Sequence, residues 1–154
     1  VFEKAKVLPE AEHKEFTLSR RDPVVIEGDA SRLQQIVMNL VVNAFRYTLP
    51  GGKIDLSLTL SGDQALVSVL DTGIGISEKD QERIFDRFYR SSEARGLGVN
   101  GSGLGLNICR FVSEAHGGQI CVESQPGTGS KFTVELPLNS EQRLTGGHLP
   151  SSTV

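Results

Sequence analysis

The sequence predicts an α+β fold: a two-layer α/β sandwich with about three helices on one face of a mixed, mostly antiparallel sheet of about five strands. Three features predict it. Apolar residues recur at helical period across residues 30–48; residues 54–70 alternate around a Ser-Gly-Asp turn; residues 119–136 alternate around Pro-Gly-Thr-Gly. At 154 residues the chain suits one domain with a core that needs neither disulfide nor metal.

Taken in order, residues 1–15 are charged and weakly patterned, and they read as a linker or a remnant of a preceding domain. Short strands are expected at 16–19 and 24–27. Gly28-Asp29 breaks the second, and Asp29 is placed to cap a helix over 30–48 by accepting bonds from its first free amides. Leu33, Ile36, Val37, Leu40, Val41 and Ala44 form that helix's apolar arc, and Leu49-Pro50-Gly51-Gly52 stops it. A hairpin follows, with Ile54, Leu56, Leu58 and Leu60 on one arm and 66–70 on the other. A glycine-interrupted loop leads to a short helix over 77–88, and 91–100, small and polar, is expected to be mobile. A helix over 104–115 ends at Gly117-Gly118, and strands at 119–124 and 131–136 close the domain, which spans 16–138; the tail 139–154 has no pattern and is expected to be disordered.

Composition narrows the function classes. With 38% hydrophobic and 23% charged residues the chain is an ordinary globular protein, and a net charge of −3 leaves no basic footprint for nucleic acid. Basic residues do gather locally, at Arg83, Arg87, Arg90 and Arg95. Cys109 and Cys121 read as small apolar residues of a protein in a reducing compartment. No apolar run reaches the length of a membrane span, and no signal peptide is visible. The chain begins at Val1 without methionine, so a fragment of a longer protein is expected.

Chemistry concentrates in three places. Asn39 and Asn43, four apart, stack on one helix face beside Arg46 and Tyr47. Two carboxamide oxygens one turn apart suit a hard cation such as Mg²⁺ that keeps waters and shares phosphate oxygens; the plainer alternative is hydrogen bonding to neighbouring loops. Arg46 can meet phosphate charge and Tyr47 can cover an aromatic base. Asp71-Thr72-Gly73-Ile74-Gly75-Ile76 follows a strand end, where a carboxylate could accept from the exocyclic amine of adenine and reject guanine, which presents a carbonyl there. A plain β-turn is the alternative. Gly101-Ser102-Gly103-Leu104-Gly105-Leu106 runs into a helix, so free amides and the helix start together suit phosphate. It is neither a Walker loop nor a dinucleotide fingerprint, for no Lys-Ser/Thr pair and no βαβ unit accompany it.

In this order the motifs resemble the Bergerat-fold ATPase and kinase superfamily, and within it the histidine kinases. Asn39–Tyr47 resembles the N box, Asp71–Ile76 the first glycine box, Gly101–Leu106 the second, and Gly127-Thr128-Gly129 the third. Ile84-Phe85-Asp86-Arg87-Phe88-Tyr89-Arg90 resembles the F box, the mark of the histidine kinases. The resemblance implies that ATP lies against Asn39, Asn43, Arg46, Tyr47, Asp71, Gly73, Gly75, Ile76, Gly101, Ser102, Gly103, Leu104, Gly105 and Leu106. Asn43 would hold Mg²⁺, with Asn39 assisting at the phosphates. Asn39, Arg46, Arg87 and Arg90 are the candidate catalytic residues, and 89–100 would form a lid over ATP. Arg46 stands where many relatives carry lysine, which keeps the charge and changes a point into a fork.

The same resemblance separates kinase from hydrolase. ATP-hydrolysing relatives carry a glutamate one turn before the metal asparagine; here that position is Asn39, whose amide cannot take a proton from water. None of His13, His116 and His148 stands in the family's acceptor pattern, and His116 suits a cap or packing role. The implied acceptor is a histidine on an upstream dimerisation domain, for relay to a response regulator. The implied parent is a homodimer anchored in the inner (plasma) membrane with this domain cytoplasmic, and the fragment itself a monomer. A degenerate nucleotide-sensing module is the alternative from another class, and an ATPase or serine kinase of the same fold is a third.

Overall fold

The structure, a computed structural model, describes residues 1–96 and 101–139. Its elements are α1 (Phe2–Lys6), a 3-10 turn (Pro9–Ala11), β1 (Glu15–Arg21), α2 (Ala30–Tyr47), β2 (Lys53–Ser61), β3 (Gln64–Asp71), α3 (Glu78–Gln81), α4 (Ser92–Gly96), α5 (Gly105–Ala115), β4 (Gln119–Gln125) and β5 (Gly129–Pro137).

The strands form one sheet in the order β1-β2-β3-β5-β4, parallel only between β1 and β2. Side chains alternate across a pleated strand, so one register fixes both faces. Leu56 pairs with Val69 and Val69 with Phe132, and this row turns inward. Ser57, Ser68 and Thr133 form the adjoining row on the other face, where the Ser68 and Thr133 hydroxyls meet at 3.1 Å. Against the inner face, α2 buries Ile36, Leu40, Val41, Ala44 and Phe45, and α5 buries Cys109 and Val112. The mixed five-stranded sheet with its helices is the architecture that the periodicities predict.

Asp29 caps α2 as expected, its Oδ1 accepting from the amides of Ser31 at 2.9 Å and Arg32 at 3.1 Å. Its own amide donates at 3.1 Å to Nε2 of His116, whose Nδ1 lies 2.7 Å from the Val112 carbonyl. The ring therefore carries its proton on Nδ1 and ties the end of α5 to the start of α2. Gly28 has no room for a Cβ beside that ring. Asp29→Ala is expected to cost about 1 kcal/mol, the usual value of an N-cap, read as a lower urea midpoint at unchanged slope.

Three local expectations are corrected. Residues 24–27 are not a strand: Asp22 ends the pairing, its amide donating to Leu58 and its carboxylate accepting from Leu60, and Pro23 has no amide to continue the ladder. The first strand is correspondingly longer, Glu15–Arg21. Residues 1–15 are no loose linker. Phe2, Ala5, Leu8 and Ala11, three apart, pack on the core, Ala5 fully buried and the Phe2 ring tilted against that of Phe16, their centres 4.6 Å apart. The helix expected over 77–88 keeps only the four residues of α3; turns follow, and Phe88 sits at φ 61°, which a β-carbon disfavours. Of the segment expected to be mobile, 92–96 forms α4, while 97–100 and the tail from 140 lie outside the described residues.

Candidate functional site

The C-terminal half of α2 packs beside α5, and the chain leaving β3 closes the space between their facing ends. The result is a cavity of about 370 Å³. From α2 it receives Asn39, Asn43, Arg46 and Tyr47; from the loop after β3, Asp71, Ile74, Gly75 and Ile76; and from the approach to α5, Gly101, Ser102, Gly103, Leu104, Gly105 and Leu106. Three motifs far apart in the chain thus line one space. Arg90 joins them, together with Tyr89, Ser91 and Ala94.

Two predicted residues stand outside. Gly73 lies behind Asp71: its amide donates to Asp71 Oδ1 at 2.8 Å, and a Cβ there would strike the Tyr47 carbonyl. Arg87 is exposed, its guanidinium 5.3 Å from the centre of the Phe88 ring. The sequence also left lining residues unassigned. Ser130 and Phe132 follow from the strand period, since Ser130 pairs with Asp71 on the inward face. Tyr89 and Ala94 fall in the segment 89–100 expected to cover ATP, and turns followed by α4 bring them onto the cavity.

Asp71 ends β3 with 6% of its surface exposed. Burial raises its carboxyl from 3.8 to about 6, against the opposing pull of amide hydrogen bonds from Gly73 and Ser130. It is thus an inward-facing acceptor near its point of protonation at neutral pH. Asn39 uses its amide as a donor, Nδ2 lying 3.3 Å from the Gly105 carbonyl, so the N box holds the start of α5 directly. Below it, burial pushes the Cys109 thiol up to about 12 and keeps it inert. Asn43 is half-buried, and among the described residues its carboxamide has no side-chain hydrogen bond. Arg46 has an ion pair at 3.8 Å with Glu10 of the 3-10 turn.

The glycines answer to geometry. Gly103, at φ 68°, lies so close to Phe88 that a Cβ would come within 2.8 Å of its backbone, and the Phe88 amide donates to the Gly103 carbonyl at 2.9 Å. The F-box and glycine-rich segments are therefore held together. Gly75, at φ 70°, is pressed against the Gln125 carbonyl at the β4–β5 turn. Among the described residues no cluster of three His, Cys, Asp or Glu side chains could cage a metal, and no helix is long and apolar enough to cross a membrane.

The sequence pattern of the histidine kinase-, DNA gyrase B- and HSP90-like ATPases matches residues 28–140. The sensor histidine kinase RppB of Synechocystis is 45% identical over 113 residues, covering 73% of this chain and 25% of the relative. The sensor histidine kinase WalK of Bacillus subtilis is 40% identical over 135 residues, covering 85% of this chain and 22% of its own. The chain thus spans about a quarter of the length of these relatives. Among solved structures, a mycobacterial sensor histidine kinase, MprB, superposes with a TM-score of 0.78 at 31% identity, covering 89% of this chain and 90% of that one. Full-length ShkA in complex with AMPPNP superposes with a TM-score of 0.74 at 31% identity, covering 88% of this chain and 28% of the other. The chain belongs to the histidine kinase-, DNA gyrase B- and HSP90-like ATPase family, and within it to the ATP-binding catalytic domains of sensor histidine kinases.

Proposed function

We propose that this domain binds Mg²⁺·ATP and directs its γ-phosphoryl group to a histidine on an upstream dimerisation domain, from which it passes to an aspartate of a response regulator. The observation that carries this reading is the convergence of Asp71, Asn43 and the glycine-rich start of α5 on one cavity. Asp71 marks the adenine end, because a buried acceptor there matches the exocyclic amine and leaves guanine's carbonyl unpaired. Tyr47 covers the base. Backbone amides of the Gly101–Gly105 segment and the partial positive charge at the start of α5 receive the phosphates.

The donor set fits Mg²⁺ of a particular kind. Asn43 offers one neutral oxygen inside the cavity, with no carboxylate cage around it among the described residues, which suits an ion that arrives with the phosphates and keeps most of its waters. Bound there, Mg²⁺ would supply charge neutralisation across the phosphates. The chain's own work is positioning: Arg46 and Arg90 face developing negative charge, and Asn39 holds the start of α5 in place. Arg87, outside the cavity, is proposed to face the acceptor domain instead. The acceptor imidazole nitrogen forms the new bond to phosphorus as the bond to the leaving ADP oxygen breaks. Water is a poor rival, since Asn39 is an amide with its nitrogen committed to Gly105. The whole protein is proposed to be a homodimer anchored in the plasma membrane with this domain in the cytoplasm, and this chain alone a monomer.

Calorimetric titration with AMPPNP, with and without Mg²⁺, tests the nucleotide site, and transfer from radiolabelled ATP to a separately supplied histidine domain tests the chemistry. AMPPNP binding strengthened by Mg²⁺ and at least about 100-fold weaker binding of GTP are expected. Equal affinity for ATP and GTP would remove the role given to Asp71. Tight binding without transfer to any histidine domain would favour a nucleotide sensor over a kinase.

A further inference from the structure

The short helix α3 carries a carboxylate for which ATP binding has no direct use. Asp80 is 4% exposed, yet it is fully engaged: Tyr89 Oη donates to Oδ1 at 2.6 Å, and the Ser92 amide and hydroxyl donate to Oδ2 at 2.9 and 3.0 Å. The Tyr89 hydrogen bond, followed by that of the Ser92 amide, holds the Asp80 carboxyl well below the usual carboxylate range. The same bond raises the Tyr89 phenol above its ordinary ionisation. Arg83 lies over the Tyr89 ring at 4.4 Å, so the ring is held at its face and at its hydroxyl.

What this clamp encloses is part of the cavity wall. Tyr89 and Ser92 bracket Arg90 and Ser91, both of which line the cavity. Ser91 is buried, and its hydroxyl accepts the Ala94 amide at 3.1 Å, which carries the wall into α4. On the other side, Phe88, next to Tyr89, donates its amide to Gly103. Turns, not a continuous helix, connect α3 to this segment, so no repeating backbone ladder fixes it. A fully hydrogen-bonded carboxylate takes that part.

We propose that Asp80 is a positioning residue for nucleotide: by holding Tyr89 and Ser92 it fixes the Arg90–Ser91 wall beside the phosphate-binding glycines before ligand arrives. The proposal rests on the ATP-binding reading of the cavity. It predicts that loosening the clamp weakens binding of the phosphates and spares the base, because Asp71 and Tyr47 lie on other elements. Preorganisation of this kind acts on affinity without touching ligand.

The test uses Asp80→Asn, Tyr89→Phe and the double variant, with AMPPNP and adenosine titrated against each, melting curves, and alkaline ultraviolet titration of tyrosine. The chain has two tyrosines and no tryptophan, so Tyr89→Phe leaves Tyr47 alone and assigns both signals. In Asp80→Asn the Tyr89 ionisation is expected to fall toward that of free tyrosine. AMPPNP affinity drops about tenfold there and about threefold in Tyr89→Phe, with adenosine changed less than about twofold in either. The double variant binds no more weakly than Asp80→Asn, because both substitutions break one clamp. Unchanged AMPPNP affinity in a folded Asp80→Asn whose tyrosine signature is lost overturns the proposal, as does an equal loss for both ligands. If Asp80→Asn does not fold, Tyr89→Phe decides, and wild-type AMPPNP affinity there overturns it. Absence of AMPPNP binding by the unsubstituted chain, with the Tyr89 signature intact, fails the ATP reading first and this one with it.

Discussion

Asp71→Asn is expected to weaken ATP binding by about 10- to 100-fold at neutral pH while making the nucleotide-free domain more stable. Both effects have one cause. Asp71 is a carboxylate kept where little water reaches it, and burial lifts it from 3.8 to about 6. A displacement of that size corresponds to roughly 3 kcal/mol of disfavoured charge at neutral pH, an upper bound on what asparagine relieves. Asparagine keeps an oxygen for the Gly73 amide and has no charge to bury. Its NH₂, however, meets the adenine amine donor to donor, and the charge-assisted bond is lost.

The sign of the pH effect follows. The folded value lies above that of the unfolded chain, so between about 4 and 6 the folded domain holds a proton that the unfolded chain has released. The stability contribution from Asp71 is fully present below pH 3.8 and is lost as pH rises through about 6. The advantage of Asp71→Asn in melting curves should therefore shrink from pH 7.5 to pH 4, as measured against the parent domain. ATP affinity of the parent runs the other way: it falls as acid protonates the acceptor, and in the variant it does not. A variant that binds ATP like the parent at pH 7.5 would leave Asp71 with no part in base recognition, whatever its stability.

That burial explains why this residue was legible in sequence and its energetics were not. A strand of alternating apolar residues ending in Asp-Thr-Gly placed a carboxylate at the rim of the sheet. How much water reaches it depends on Ser130 and Phe132, which come from a strand about 60 residues away. The same division holds elsewhere. The long helix, its cap and the two hairpins follow from period and turn chemistry, because each is decided by residues adjacent in the chain. The segment 82–96 follows no period, and its shape is set by single contacts at distance: Asp80 with Ser92, Phe88 with Gly103, Asn107 with the Phe85 carbonyl. The packing of residues 1–15 is hidden for another reason. Their charges masked four apolar residues spaced by three, too short a run for a helical stripe, yet enough to bring Phe2 onto Phe16 and Phe16 onto Phe45.

Asn43→Ala is expected to abolish the strengthening of ATP binding by Mg²⁺, a loss on the order of 10-fold or more, and to leave metal-free binding nearly unchanged. Asn39 and Asn43 look equivalent in sequence, one helical turn apart, and the structure separates them. Asn39 spends its amide on the Gly105 carbonyl, so its substitution by Ala loosens the start of α5 and weakens binding with or without metal. Asn43 lines the cavity and, among the described residues, has no such tie, so its oxygen can meet a cation. Calorimetry at a fixed nucleotide and varied Mg²⁺ distinguishes the two: a vertical shift of both curves for Asn39→Ala, and collapse of one onto the other for Asn43→Ala. Asn43→Asp supplies the control, since an anionic oxygen at the same place should keep the metal effect. If Asn43→Ala retains full Mg²⁺ enhancement, the ion is held by the phosphates and water alone, and the helix face beside it serves only to shape the cavity.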